Sequence, residues 1–187
     1  MRTILKTTLM ALFLLGLSAC DLGTNPDNLA GVWTGAKEPY VKGTFLDVKY
    51  TFMPNEGDNT TGSFILQYKG KHEEEIQEGL TLSAAFTVIE KGKYSIADNQ
   101  LTLTYMPDSV TCQANEDDIK AYVEKAKQAG KDEDFDFTLK TFNSFIADAF
   151  KQVFSDIKTE TITIQLSPTN FSYEIEDGHK MNFTKSK

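Results

Sequence analysis

From Gly31 to the C-terminus, apolar residues recur at every second position. Leu46, Val48, Tyr50 and Phe52 alternate with Asp47, Lys49 and Thr51, and Phe64, Leu66 and Tyr68 alternate with Ile65 and Gln67. The period returns at Leu80, Leu82, Ala84, Phe86 and Val88, at Tyr94 and Ile96, and at Leu101, Leu103 and Tyr105. It returns again at Ile162, Ile164 and Leu166, at Phe171, Tyr173 and Ile175, and at Met181 and Phe183. Side chains two apart share one face of a strand, so this is the pattern of half-buried antiparallel strands. Turn formers separate the runs: the stretch 54–59 (PNEGDN), Asp98-Asn99, the stretch 167–170 (SPTN) and Asp177-Gly178. Gly92 lies inside the run 80–96 and predicts a bulge or sharp bend where one strand crosses a barrel corner. The reading is all-β, with about eight strands joined by short turns. A sandwich and an up-and-down barrel both satisfy the alternation, and hairpins between sequence neighbours favour the closed barrel.

Between 114 and 158 the period changes. Asn115 can cap a helix, with Asp118 in a box-like position and Asp117 favourable to the helix dipole. Ile119, Tyr122, Val123 and Ala126 form its apolar stripe, and Gly130 stops it. After a polar link at 131–134, a second helix runs from about 138 to 156. Its stripe is Phe142, Phe145, Ile146, Ala149, Phe150, Val153 and Phe154, a broad face rather than a coiled-coil seam. A helical hairpin is therefore inserted between two strands, and its Phe142, Phe145, Phe150 and Phe154 are the candidate lid over one barrel end.

The first 19 residues belong to no such pattern. Arg2 and Lys6 precede an apolar run at 9–17, too short to span a bilayer, followed by Ser18 and Ala19. This is the layout of a secretory signal. Leu17-Ser18-Ala19-Cys20 resembles the lipobox of bacterial lipoproteins. The resemblance implies cleavage before Cys20 and acylation of that cysteine, with a membrane as partner through the acyl chains. An ordinary cleavage site releasing a soluble protein is the competing reading. The implied location is the bacterial cell envelope, the outer membrane before the inner. Asp21 matches an inner-membrane retention signal of enterobacteria that other lineages do not use. The organisation that follows is a signal peptide at 1–19, a lipidated cysteine and tether at 20–30, and one domain at 31–187 carrying the insertion 114–158.

Charge narrows the partners. The formal net charge is −8 and becomes −10 once the two basic residues of the leader are gone. An acidic domain repels phosphate backbones and anionic headgroups, which argues against nucleic acid and peripheral lipid binding. Of the two cysteines, Cys20 is assigned to lipid, so Cys112 has no intrachain partner and is expected to be buried.

The stretch Gly31-Val32-Trp33, opening the first strand of a small β-domain, resembles the G-x-W start of the lipocalins and wider calycin barrels. Tyr50-Thr51-Phe52 through Asn55, Gly57 and Thr61-Gly62-Ser63-Phe64 is similar to lipocalin-like domains of bacterial lipoproteins. So are Gly92-Lys93-Tyr94-Ser95-Ile96 with Leu101-Thr102-Leu103-Thr104, and the closing Met181-Asn182-Phe183-Thr184-Lys185. The likeness covers 29–106 and 159–185; the helical insertion departs from it. It implies that Trp33 packs across a closed barrel end beside Gly31, with Lys185 over the indole where the family more often has arginine. It also implies that any pocket opens at the other end.

Catalytic and metal chemistry is sparse. His72 beside Glu73, Glu74 and Glu75 reads as a solvated charged turn, and neither it nor His179 has zinc-like spacing. Asp132, Asp134 and Asp136 echo a calcium loop, but Phe137 and Asn143 stand where glycine and glutamate are required. No nucleophile elbow, zinc-protease helix or phosphate loop is present. The expected function is therefore non-catalytic, without metal or cofactor: a membrane-anchored, lipocalin-like barrel binding a small apolar or amphipathic molecule. Candidate lining residues are Tyr50, Phe52, Phe64, Tyr68, Phe86, Tyr105, Phe171 and Tyr173. So many aromatics equally suffice to fill the interior solid. The alternative function is a protein-interaction module, an inhibitor or assembly factor, acting through residues 114–158.

Overall fold

The computed structural model describes residues 24–40, 44–130, 137–175 and 178–187. The signal segment, Cys20 and the acidic link with Asp132, Asp134 and Asp136 lie outside the described residues. The strands are β1 (Gly31–Pro39), β2 (Phe45–Asn55), β3 (Asp58–Gln77), β4 (Leu80–Ala97) and β5 (Gln100–Tyr105). A short β6 (Thr111–Ala114) and the helices α1 (Glu116–Gln128) and α2 (Leu139–Ile157) follow, before β7 (Thr159–Leu166), β8 (Asn170–Glu174) and β9 (Lys180–Lys185).

Every strand of the closed wall pairs antiparallel with its sequence neighbours, β5 meeting β7 across the insertion. Strand β9 returns to β1 through Trp33 opposite Lys185 and Thr34 opposite Thr184. That last pairing closes an eight-stranded up-and-down barrel and removes its open edges. The ninth strand, β6, lies outside this wall on the first half of β4, where Phe86 faces Ala114 and Ile89 faces Thr111. The second half of β4 pairs with β5, Gly92 opposite Tyr105. Four residues (TCQA) are too few to show an alternation, which hides β6 in the sequence.

Three expectations are corrected. Gly92 makes no bulge: β3 and β4 stay in register past it, with Phe64 opposite. A Cβ there would sit 2.4 Å from the Phe64 ring and 2.5 Å from the Thr104 carbonyl oxygen, so the glycine exists for close approach. His72 is not in a solvated turn. It lies within β3, buried, because β3 and β4 continue as a long hairpin beyond the barrel and inward positions there are covered by the insertion. Residues 25–29, read as tether, are fastened to the barrel: Asn25 caps a short 3-10 turn, and Leu29 is fully buried.

The first helix starts at its predicted cap, Asn115, and the second at a cap the sequence reading did not name. The Asn115 side chain accepts from the amides of Asp117 and Asp118, and Thr138 with Thr141 forms a reciprocal capping box. Asp118 does not complete a box with Asn115; its carboxylate accepts from the Ala85 amide while the Asn115 amide donates to the Ala85 carbonyl, tying α1 to β4. Helix α1 buries Ile119, Tyr122 and Ala126, and α2 buries Phe142, Ile146 and Phe154. Phe145 and Val153, counted in the apolar stripe of α2, are 58% and 51% exposed. A stripe that wide exceeds what one flat contact can cover. Cys112, on β6, is half-buried, and burial pushes its thiol up to about 11.

Candidate ligand site

The two ends of the barrel interior differ. At the end where β1 begins, Trp33 is fully buried and donates through Nε1 to the Leu29 carbonyl at 2.7 Å. Lys185 Nζ stands 5.2 Å from the indole ring centre and donates to the Asn28 carbonyl at 2.9 Å. Gly31 has φ +119°, and a Cβ on it would meet the Lys185 side chain at 2.9 Å. Gly31, Trp33 and Lys185 thus come together across the end of the barrel. Above them Phe171 contacts Trp33 edge-on at 5.8 Å and stacks on Phe183 at 5.0 Å. Phe52 packs against Phe171, Phe64 and Tyr94, so this half is filled.

The other half holds a cavity of about 310 Å³. Of the aromatic residues picked out in the sequence, Tyr50, Tyr68, Tyr105 and Tyr173 line it. Phe52, Phe64 and Phe171 do not: they are spent in the filled half. Phe86 does not line it either; it is buried on the inward face of β4, against Tyr40 at 5.6 Å and Phe150 at 6.4 Å. Met181, Leu46 and Ile175 supply apolar wall, and Ala149, Phe150, Val153, Phe154 and Ile157 of α2 lie across the opening. Among the lid candidates, Phe150 and Phe154 cover the cavity, with Phe150 5.3 Å from the Tyr68 ring and Phe154 4.9 Å from Tyr105. Phe142 and Phe145 instead flank His72, outside the cavity, where the imidazole also meets Glu74 at 3.1 Å and the Tyr40 hydroxyl at 3.4 Å.

Helix α2 is held in place from both sides. The Asn143 side chain accepts from the Ala114 amide at 2.8 Å, which joins it to β6. The Tyr105 amide donates to the Lys158 carbonyl at 2.9 Å, which fixes the end of α2 on β5. Lys151 pairs with Asp108 at 3.2 Å on the surface.

Two glutamates that the sequence reading passed over also line the cavity, Glu38 and Glu160. The reason Glu38 points inward is a bulge. The β1 register slips between Trp33 and Ala36, so the inward set changes from odd to even positions, and Lys37 turns outward to Asp47. Glu160 continues the inward series of β7 below Ile162 and Ile164. Simple extension of that alternation finds Glu160; Glu38 requires knowledge of the bulge.

The polar groups are matched in pairs. The Tyr68 hydroxyl donates to Glu38, the Tyr105 hydroxyl to Glu160, and the Tyr50 hydroxyl to that of Tyr173. Burial raises the carboxyl of Glu38 above the usual range, the Tyr68 bond opposes this, and the charge of Glu160 adds to it. Burial likewise drives the phenols of Tyr50, Tyr68, Tyr105 and Tyr173 upward, so all four are neutral donors. Such a site has apolar walls with a few placed polar groups, the usual construction of a small-molecule pocket.

No family model matches the chain, and no curated protein does. Among solved structures it is similar to a lipocalin-like protein from Bacteroides uniformis ATCC 8492, at 18% identity and a TM-score of 0.35, over 85% of this chain and 99% of that one. The fold stands on the strand pairing described above, not on that likeness.

Proposed function

We propose that this protein is a lipid-anchored, non-catalytic binding module of the bacterial envelope, lipocalin-like in construction, which holds one small amphipathic molecule under helix α2. The cavity carries the reading. Its volume is at the lower end of the range for ligand sites, roughly 300–1,000 Å³. The closed barrel end lies where β1 begins, after the turn at Pro26–Asn28, and the cavity opens at the other end. Partners other than the membrane and the ligand are not needed, and the acidic surface disfavours nucleic acid.

Native mass spectrometry of the protein purified from its host tests the reading. A bound small molecule lost on Ala149→Trp, which would fill the cavity, is the expected result; a clean apo mass in every preparation contradicts it. Anchoring is tested separately: Cys20→Ala should release the protein from membranes, and retention without acyl label would refute it.

A second reading has its own observation. Phe145, Val153 and Ile157 are exposed on α2, and Met106 is 48% exposed. Such a surface suits protein contact through the insertion. Phe145→Asp, at a residue outside the cavity, should then abolish binding of that protein without changing the occupancy of the cavity.

A further inference from the structure

Both charged side chains in the cavity lining are acids. Glu38 enters from β1 and Glu160 from β7, and each raises the local negative potential felt by the other groups: Glu160 acts on Glu38, and both act on Tyr173. Among the described residues that line the cavity there is no lysine, arginine or histidine. His179 acts on Glu38 from outside the lining, where its ring Nε2 donates to the Lys37 carbonyl at 2.9 Å. A carboxylate offers about four acceptor positions. One tyrosine hydroxyl on each of Glu38 and Glu160 leaves both with capacity for a further donor.

The rest of the lining favours the same kind of guest. The lining is also rich in tyrosine, and an aromatic face attracts an organic cation at about 0.5–2 kcal/mol in suitable geometry. Phe150, Val153, Phe154 and Ile157 of α2 give the lining an apolar part with no charge on it. A neutral guest can return a hydrogen bond but no opposite charge to two carboxylates taken out of water, and an anion would meet like charge in a medium of low dielectric. A guest with a positive head and a short apolar tail satisfies both halves of the wall.

We propose that the ligand is a small cationic amphiphile, an organic ammonium whose head sits between Glu38 and Glu160 and whose tail lies under α2. This rests on the cavity being a ligand site, and the test separates the two claims. Isothermal titration of the purified protein at neutral pH with n-octylammonium, 1-octanol and octanoate uses one tail with three heads. Octylammonium should bind about tenfold or more tighter than octanol, and octanoate more weakly than octanol. Glu38→Gln and Glu160→Gln should each bring the ratio of octylammonium to octanol affinity toward one. If octanol binds and octylammonium binds no better, or octanoate binds best, the cationic assignment is overturned while the cavity stands as a site. If none of the three binds, both claims fall. The native protein alone decides between these outcomes, should either variant fail to fold.

Discussion

In one half of the barrel Phe52, Phe64, Phe171 and Phe183 pack on one another, with Phe171 against Trp33; in the other, Tyr50, Tyr68, Tyr105 and Tyr173 stand around a cavity. The rings are of nearly equal size, so the difference lies in one oxygen. A buried phenyl ring is stabilised by any close neighbour, and four of them pack together beside the tryptophan, which Phe171 touches. A buried phenol must also keep its hydroxyl bonded, at a cost of about 1–3 kcal/mol if it does not. Each of these four tyrosines meets that requirement with a fixed partner at the wall, Glu38, Glu160 or a second tyrosine, and so cannot tip inward to fill the space. Phenylalanine makes the base of this barrel and tyrosine keeps its upper half open.

The sharpest way to break the comparison is to empty the filled half and fill the empty one. Phe171→Ala removes a fully buried ring from the filled half and should cost about 3–5 kcal/mol, read as a lower urea midpoint. Ala149→Trp, at the cavity, should leave the midpoint nearly unchanged and remove ligand binding. Equal destabilisation by the two would mean that the halves are packed alike.

Next in size is the effect of Glu90, an inward residue of β4 that is fully buried, with neither carboxylate oxygen hydrogen-bonded to another described side chain. Burial raises its acid to about 8 from an ordinary 4.5. Because the folded pKa is the higher one, the folded state holds the proton more tightly. Stability is full below about pH 4.5, falls as pH rises towards about 8 and is level beyond, a loss on the order of a few kcal/mol in total. Glu90→Gln should flatten that profile in urea melts collected across the window. A wild-type profile that rises over the same window would show Glu90 solvated or partnered, and the interior around it wet.

Smaller effects test the insertion. Asn115→Ala removes the cap of α1 and should cost about 1 kcal/mol. Lys151→Ala removes an exposed ion pair on α2, and its effect on the midpoint should stay within about 0.5 kcal/mol. If Lys151→Ala costs more than Asn115→Ala, the surface pair and not Asn143 and the Lys158 carbonyl holds α2 over the cavity.

The strands and the Asn115 cap were legible because each depends on local period or on short-range hydrogen bonding, whereas the meeting of Trp33 with Lys185 is a long-range contact that only the resemblance to lipocalins implied. Strand β6 was not, being too short to alternate, and His72 was misplaced because its charged neighbours face solvent from a strand rather than a turn. Glu38 was hidden by a register slip that no alternation reveals. The division of the aromatic residues into filling and lining was beyond reach for a deeper reason. Whether a ring fills space or borders it depends on volumes summed over eight strands, and on which hydroxyls find partners across them.

Methyl-resolved NMR of the purified protein titrated with 1-octanol tests the division most directly. Shifts confined to Leu46, Ile175, Met181, Val153 and Ile157, with Leu29, Ile96, Leu101 and Leu103 still, are the predicted result. Shifts spread through the second group, or none in the first at saturating octanol, would contradict a barrel with one filled half and one half built to receive a guest.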